Sequence, residues 1–180
     1  MSLPPETRQD TKHVRLRPAR PTDAAFVLSL RTDPSRNAFV SKVDDDPEAQ
    51  RRWLEDYVAR ETAGVEYYFI VESLDGEDLG TVRIYNVGKD DFEWGSWIMK
   101  PGAPPQASVE AALGIYEFGF GTLGKASCRF EVFRANERVV EFKRRFGAEV
   151  TGDDGSMVRF RLGAEDYRKN GRRRFARFLL

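Results

Sequence analysis

Hydrophobic and polar positions change period several times along the chain, and each change marks an element. Residues 13–17 (His-Val-Arg-Leu-Arg) alternate as a strand does, and Pro18 closes the run. Pro21-Thr22-Asp23 opens a helix that runs to about Leu30, with the proline in its first turn and the acid favourable to its dipole. Residues 32–46 are irregular and end in an acidic run. Residues 47–61 read as a helix, because Trp53, Leu54, Tyr57 and Val58 recur at helical spacing behind Pro47. Residues 66–73 and 79–87 are paired strands around an Asp75-Gly76 turn. After Asp90-Asp91 comes the strand Phe92-Glu93-Trp94-Gly95-Ser96-Trp97-Ile98-Met99. Strict alternation puts Phe92, Trp94, Ser96 and Ile98 on one face, and Glu93, Gly95, Trp97 and Met99 on the other. The second face carries a carboxylate, a missing side chain and a large ring, which predicts a slot with an acid at one end.

A proline-rich loop from Lys100 then leads to a helix beginning near Ser108, where Val109, Ala112, Leu113, Tyr116 and Phe120 keep helical spacing to about Leu123. A strand that feeds a loop at a helix N-terminus builds an anion site from backbone N–H groups. A strand at 126–133, a short helix at 136–146 capped by Gly147, and a hairpin around Asp153-Asp154-Gly155 follow. Residues 164–180 read as a basic helical tail. The expectation is α+β: a flexible leader at 1–12 and one domain at 13–180, without internal repeats.

Composition narrows the chemistry. Lysine plus arginine, 29, equals aspartate plus glutamate, 29, so no global field recruits nucleic acid or membrane. One cysteine, Cys128, excludes a disulfide framework and reads as a small core residue. One histidine, His13, makes a histidine-centred triad or metal cluster untenable, so no metal is expected. No apolar run reaches transmembrane length, and residues 1–12 do not resemble a signal peptide, which makes the cytoplasm the default location. The run from Arg168 to Phe178 interleaves six basic residues with phenylalanines. A nucleic-acid clamp is disfavoured against a tail that packs Phe175 and Phe178 onto the domain or a partner, a second copy included.

The order strand, two helices, three antiparallel strands, helix, strand, helix, two strands resembles the GCN5-related N-acetyltransferases from about Val14 to Leu162. The most specific piece is Asn136-Glu137-Arg138-Val139-Val140-Glu141-Phe142-Lys143-Arg144-Arg145-Phe146-Gly147-Ala148, similar to the family's Asn-x-x-Ser-x-x-hydrophobic-Tyr-x-x-x-Gly-Phe. Glu93-Trp94-Gly95-Ser96-Trp97-Ile98, Arg31-Thr32-Asp33-Pro34 and Trp53-Leu54 resemble the branch that acetylates ribosomal proteins and nucleotide-linked amino sugars. The resemblance implies a mixed, mostly antiparallel twisted sheet flanked by helices on both faces. It also implies acetyl-CoA as co-substrate and a small amine as acceptor. Two positions depart from the pattern. The family's (Gln/Arg)-x-x-Gly-x-(Gly/Ala) loop falls on Ala103-Pro104-Pro105-Gln106-Ala107-Ser108, and Lys143 replaces the tyrosine that protonates the thiolate.

On this resemblance Glu93 is the candidate general base and Lys143 the candidate acid. Ile98 and Met99 hold the pantetheine arm by strand-like pairing. Lys100, Gln106, Ala107, Ser108 and Val109 hold the pyrophosphate, and Asn136 sits beside the cofactor. Arg31, Phe39 and Trp97 face the acceptor. Simpler readings stand beside these. Glu93 also reads as a solvated strand carboxylate, Asn136 as a helix cap, Lys143 as a solvated charge on an arginine-rich helix, and Trp97 as a wall residue. A non-catalytic acyl-CoA-binding or interaction domain is the rival to the enzyme.

Overall fold

The computed structural model of the protein describes residues 7–180. Residues 1–6 of the expected leader lie outside the described residues. The rest is not a leader: β1, Gln9–Asp10, pairs with β2, Val14–Pro18, and Thr11 is buried.

The described residues build an eight-stranded sheet in the order β1-β2-β3-β4-β5-β6-β8-β7. After β2 come helix α1, Ala24–Thr32, and helix α2, Pro47–Thr62. Pro47 occupies the first turn of α2, and the Asp46 carboxylate accepts from the Glu48 and Ala49 N–H groups at 3.0 Å. That cap satisfies donors a helix start leaves open. Strands β3, Tyr67–Ser73, β4, Asp78–Tyr85, and β5, Asp91–Met99, form an antiparallel meander. Helix α3, Pro105–Tyr116, continues into a π-helical turn at Glu117–Thr122. Strand β6, Ser127–Phe133, helix α4, Glu137–Arg145, and the hairpin of β7, Glu149–Asp153, with β8, Met157–Gly163, complete the sheet. All neighbours are antiparallel except β5 and β6.

Both faces of the sheet are covered, as β3 shows by being apolar without alternation. Tyr67, Phe69 and Val71 enter the larger core with α3, while Tyr68 and Ile70 enter a smaller core with Val27, Leu54 and Tyr57 from α1 and α2. Two sequence expectations shift here. Helix α3 begins at Pro105, three residues before Ser108, so Ser108 lies in the first turn and does not cap it. The tail is helical but irregular: α5, Ala164–Tyr167, runs into a π-helical turn at Arg168–Arg172 and, after Arg173 and Arg174, a 3-10 turn at Ala176–Phe178.

The segment that positions the site is β5. Arg83 faces Gly95 and Thr81 faces Ile98, so β5 holds one extra residue between them, and Ser96 takes a left-handed φ of 48°. This bulge overturns the simple alternation. Trp97 crosses to the face of Trp94, their ring centroids 5.7 Å apart, and leaves Glu93 and Gly95 on the other side. The expected slot of Glu93, Gly95 and Trp97 is therefore not formed.

Candidate functional site

Strands β5 and β6 run parallel and pair only at Asp91 with Ser127, Phe92 with Cys128 and Glu93 with Arg129. Beyond that point β5 continues to Met99 without a β6 partner. Its backbone from Trp94 onward thus presents an open edge inside the molecule, the kind of edge an extended ligand can join.

A cavity of about 650 Å³ fills the opening, lined by Trp97, Ile98 and Met99 of β5, Ser108 and Val109 of α3, and one side of α4. That side is Arg138, Glu141, Phe142 and Arg145, which the sequence reading missed although their helical spacing marks a common face. Pro104 and Pro105 carry no N–H, so the first turn of α3 offers Gln106 and Ser108, with the Ala107 N–H turned back to the Pro104 carbonyl at 2.9 Å. The Ala107 methyl is in the core, and only its backbone belongs to the turn. Lys100 lines the cavity, but its ammonium is ion-paired with Glu77, so it is not the free charge expected at the loop mouth.

A second cavity, of about 190 Å³, adjoins the first through Trp97, Arg36 and Val139 and sits where β5 leaves β6. Phe39, Gly95, Phe130, Asn136 and Lys143 line it. Asn136 precedes α4 and caps it through its backbone carbonyl, which accepts from Val139 and Val140 at 3.0 Å, while its side chain makes no cap bond. The amide is left for the cavity.

Lys143 departs most from its sequence reading. It is only 3% exposed, and its Nζ lies 3.0 Å from the Trp94 ring centroid, 4.3 Å from that of Phe130 and 5.3 Å from that of Trp97. The expected solvated charge is a buried amine in an aromatic box. Burial drives its pKa well below the ordinary lysine value. The ring faces hold part of the cation's favour, which is why the position tolerates a lysine at all.

Glu93 lies on the opposite face of the sheet. One carboxylate oxygen pairs with Arg129 Nη1 at 3.1 Å, and the other accepts from Asn86 Nδ2 at 3.2 Å. Its cross-strand neighbour Tyr85 leans over Gly95: a Cβ there would stand 2.9 Å from the Tyr85 hydroxyl. Burial raises the pKa of that phenol, with Glu93 adding to the shift.

Arg31 does not join Phe39 and Trp97. It lines a separate cavity of about 260 Å³ with Ser41, Gln50, Trp53, Tyr68 and Arg83, and donates to the carbonyl and hydroxyl of Ser41 at 2.8 Å. Its Nε and the nearby Tyr68 hydroxyl are buried without a well-aligned partner among the described residues. Arg83 is ion-paired with Glu66 at 2.7 Å and lies 5.0 Å over the Trp53 ring, so the Arg31 guanidinium and the Tyr68 hydroxyl are what this cavity offers an anion. Among the described residues no cluster of histidine, cysteine or carboxylate side chains has the arrangement to hold a metal.

Residues 13–149 match the acetyltransferase (GNAT) domain model. The chain belongs to the GNAT acetyltransferase family. The fold agrees: the apo structure of FdhC, a nucleotide-linked sugar GNAT, superposes with a TM-score of 0.88 at 34% identity, over 97% of this chain and 99% of that one. A putative acetyltransferase from T. thermophilus follows with a TM-score of 0.75 at 24% identity, over 98% and 99% of the two chains. The ribosomal-protein-S5-alanine acetyltransferase from Vibrio fischeri shares the fold with a TM-score of 0.76 at 14% identity, over 90% and 99%. A search of curated proteins returned no match. GNAT domains use acetyl-CoA as co-substrate, and the features present fit one. An open strand edge suits the amide groups of a pantetheine arm, and the α3 N-terminus suits a pyrophosphate. No helix among the described residues is long and apolar enough to cross a membrane.

Proposed function

We propose that the protein transfers an acetyl group from acetyl-CoA directly to a primary amine carried on a nucleotide-linked amino sugar. The observation that carries the transferase reading is the parting of β5 from β6 after Glu93, with the α3 N-terminus at one end of the opening and Lys143 at the other. Ile98 and Met99 offer backbone groups to the pantetheine amides. Lys100, Gln106, Ala107, Ser108 and Val109 surround the pyrophosphate, with N–H donors supplied by the first turn of α3. The Asn136 amide faces the thioester.

Glu93, directly or through one water, takes a proton from the amine, and Arg129 and Asn86 hold its carboxylate in place. As the new C–N bond forms, the C–S bond breaks and the thiolate takes a proton from Lys143. An ammonium whose pKa is lowered by burial is a stronger acid than an ordinary lysine and is better matched to a thiolate. Phe39 and Trp97 present flat apolar surfaces for the sugar.

Two observations support the nucleotide-linked acceptor. One is the likeness to a nucleotide-linked sugar GNAT at 34% identity. The other is the cavity of Arg31 and Arg83, placed next to the reacting end because Arg83 faces Gly95 across the sheet. The contacts of Glu93 favour one rival, a non-catalytic acyl-CoA-binding domain, since Arg129 and Asn86 already engage both carboxylate oxygens. An acetylation screen with nucleotide amino sugars, free peptides, polyamines and aminoglycosides separates the readings. Turnover is expected on the first class. Peptide or polyamine turnover at least roughly tenfold more efficient would remove the sugar assignment and keep the chemistry. CoA binding without turnover on any amine would favour the rival.

A further inference from the structure

The C-terminal tail and His13 have no part in the reaction described so far, yet they meet at one place. A groove of about 490 Å³ lies beside the first turn of α3, lined by His13, Gln106, Val109, Phe175, Arg177 and Phe178. Val109 and Pro105 line both this groove and the large cavity, so the two adjoin at the α3 N-terminus. An aromatic wall runs along it, from Trp97 to Phe142 at 5.3 Å and on to Phe175 at 6.2 Å between ring centroids.

Each part of the groove is held in place. Phe175 stacks on Phe146 at 4.7 Å, and the Phe178 carbonyl accepts from the Lys12 N–H at 2.9 Å. Gly171 lets the tail approach, since a Cβ there would stand 2.6 Å from Phe146. The fully buried Glu110 accepts from Thr11 Oγ1 at 2.7 Å and from the His13 N–H at 2.8 Å, and its other oxygen lies 2.6 Å from His13 Nδ1. A carboxylate only accepts, so Nδ1 carries the hydrogen and Nε2 is the ring atom left for the groove. Arg177 is exposed and stands 4.8 Å over the Phe178 ring.

We propose that this groove holds the nucleotide end of the acyl-CoA. Phe175 and Phe178 flank the adenine, and Arg177 faces the 3′-phosphate on its ribose, with His13 at the groove wall. The inference rests on the acyl-CoA reading of the large cavity, because it extends the same ligand past the α3 N-terminus. Flat apolar rings beside a guanidinium suit a phosphorylated nucleoside. Of the six basic residues between Arg168 and Phe178, only Arg177 lines the groove, which suits one terminal phosphate better than a polynucleotide backbone.

Titration calorimetry with CoA and with 3′-dephospho-CoA tests this without a known acceptor. Arg177→Ala should weaken CoA about fivefold and Arg177→Glu about tenfold or more, leaving dephospho-CoA unchanged. Phe178→Ala should weaken both ligands equally. Arg177 is exposed, so its variants should melt with the wild type. If the wild type binds CoA and every variant keeps the wild-type affinity for both ligands, the groove is not the nucleotide site, although the acyl-CoA reading stands. If the folded wild type binds neither ligand, the acyl-CoA reading falls and this inference with it.

Discussion

Lys143 Nζ stands 3.0 Å from the centroid of the Trp94 ring, at the position where the resemblance to the GNAT motif implies a tyrosine hydroxyl. The substitution exchanges a neutral donor for an amine whose charge is opposed by burial and favoured by aromatic faces. In the proposed mechanism, protonation of the leaving thiolate passes through that balance.

Stability reports it first. Because the folded pKa lies below the ordinary 10.5, the folded chain binds fewer protons than the unfolded one across the interval between them. Stability therefore rises with pH over that interval, and the penalty disappears above 10.5. Lys143→Met should melt above the wild type near neutral pH, and the gap should close as pH climbs towards 10.5. A gap that does not vary with pH would show that Lys143 is not buried as an amine.

Catalysis reports it second. Lys143→Met should lower kcat by about 10²-fold, the low end for a general acid. In the wild type kcat should fall as pH rises past the depressed lysine pKa, while Lys143→Tyr should keep its activity to higher pH. Superimposable pH profiles for the wild type and Lys143→Tyr would take the acid role away from this residue.

For Glu93→Gln, CoA affinity should stay within a few-fold of wild type and turnover should fall by about 10²–10⁴-fold. The amide keeps the shape but cannot take the proton. Near-normal turnover would place the base elsewhere, with Asp91, which also pairs with Arg129, the next to test.

Acetyl-CoA at a hundredfold its dissociation constant should stabilise the fold by about 2.7 kcal/mol, a melting shift of roughly 5–10 °C. Folded protein that shows no shift at millimolar ligand would remove both the transferase and the acyl-CoA-binding readings.

Arg31→Met should raise KM for a nucleotide amino sugar about tenfold, the loss of one charge-assisted contact, and leave KM for acetyl-CoA unchanged. Equal effects on both substrates would show that Arg31 supports the fold through Ser41 and touches no diphosphate.

Gly119→Ala should cost about 1–3 kcal/mol, read by denaturant unfolding, because a Cβ there would stand 2.2 Å from the Phe92 ring. Gly121→Ala, with open space at the same distance, is the matched control.

Most of the elements and their order were legible in the chain, because hydrophobic period is a local property that survives into the fold. The α2 start at Pro47, the hairpin at Asp75-Gly76, the open run of β3 and the α4 motif could all be read from neighbours in sequence. The sequence puts the start of α3 near Ser108, three residues late, since Pro104-Pro105 reads as a breaker although proline is at home in a first helical turn. Partners distant in sequence were not legible. The bulge at Ser96 depends on how β5 meets β4, and one extra residue was enough to move Trp97 away from Glu93 and beside Trp94. A lysine on an arginine-rich helix gives no local sign that Trp94, Trp97 and Phe130 will close over it. Burial depends on which surfaces the chain brings together, so the charge of Lys143, the partners of Glu93 and the groove under the tail were decided by tertiary structure alone.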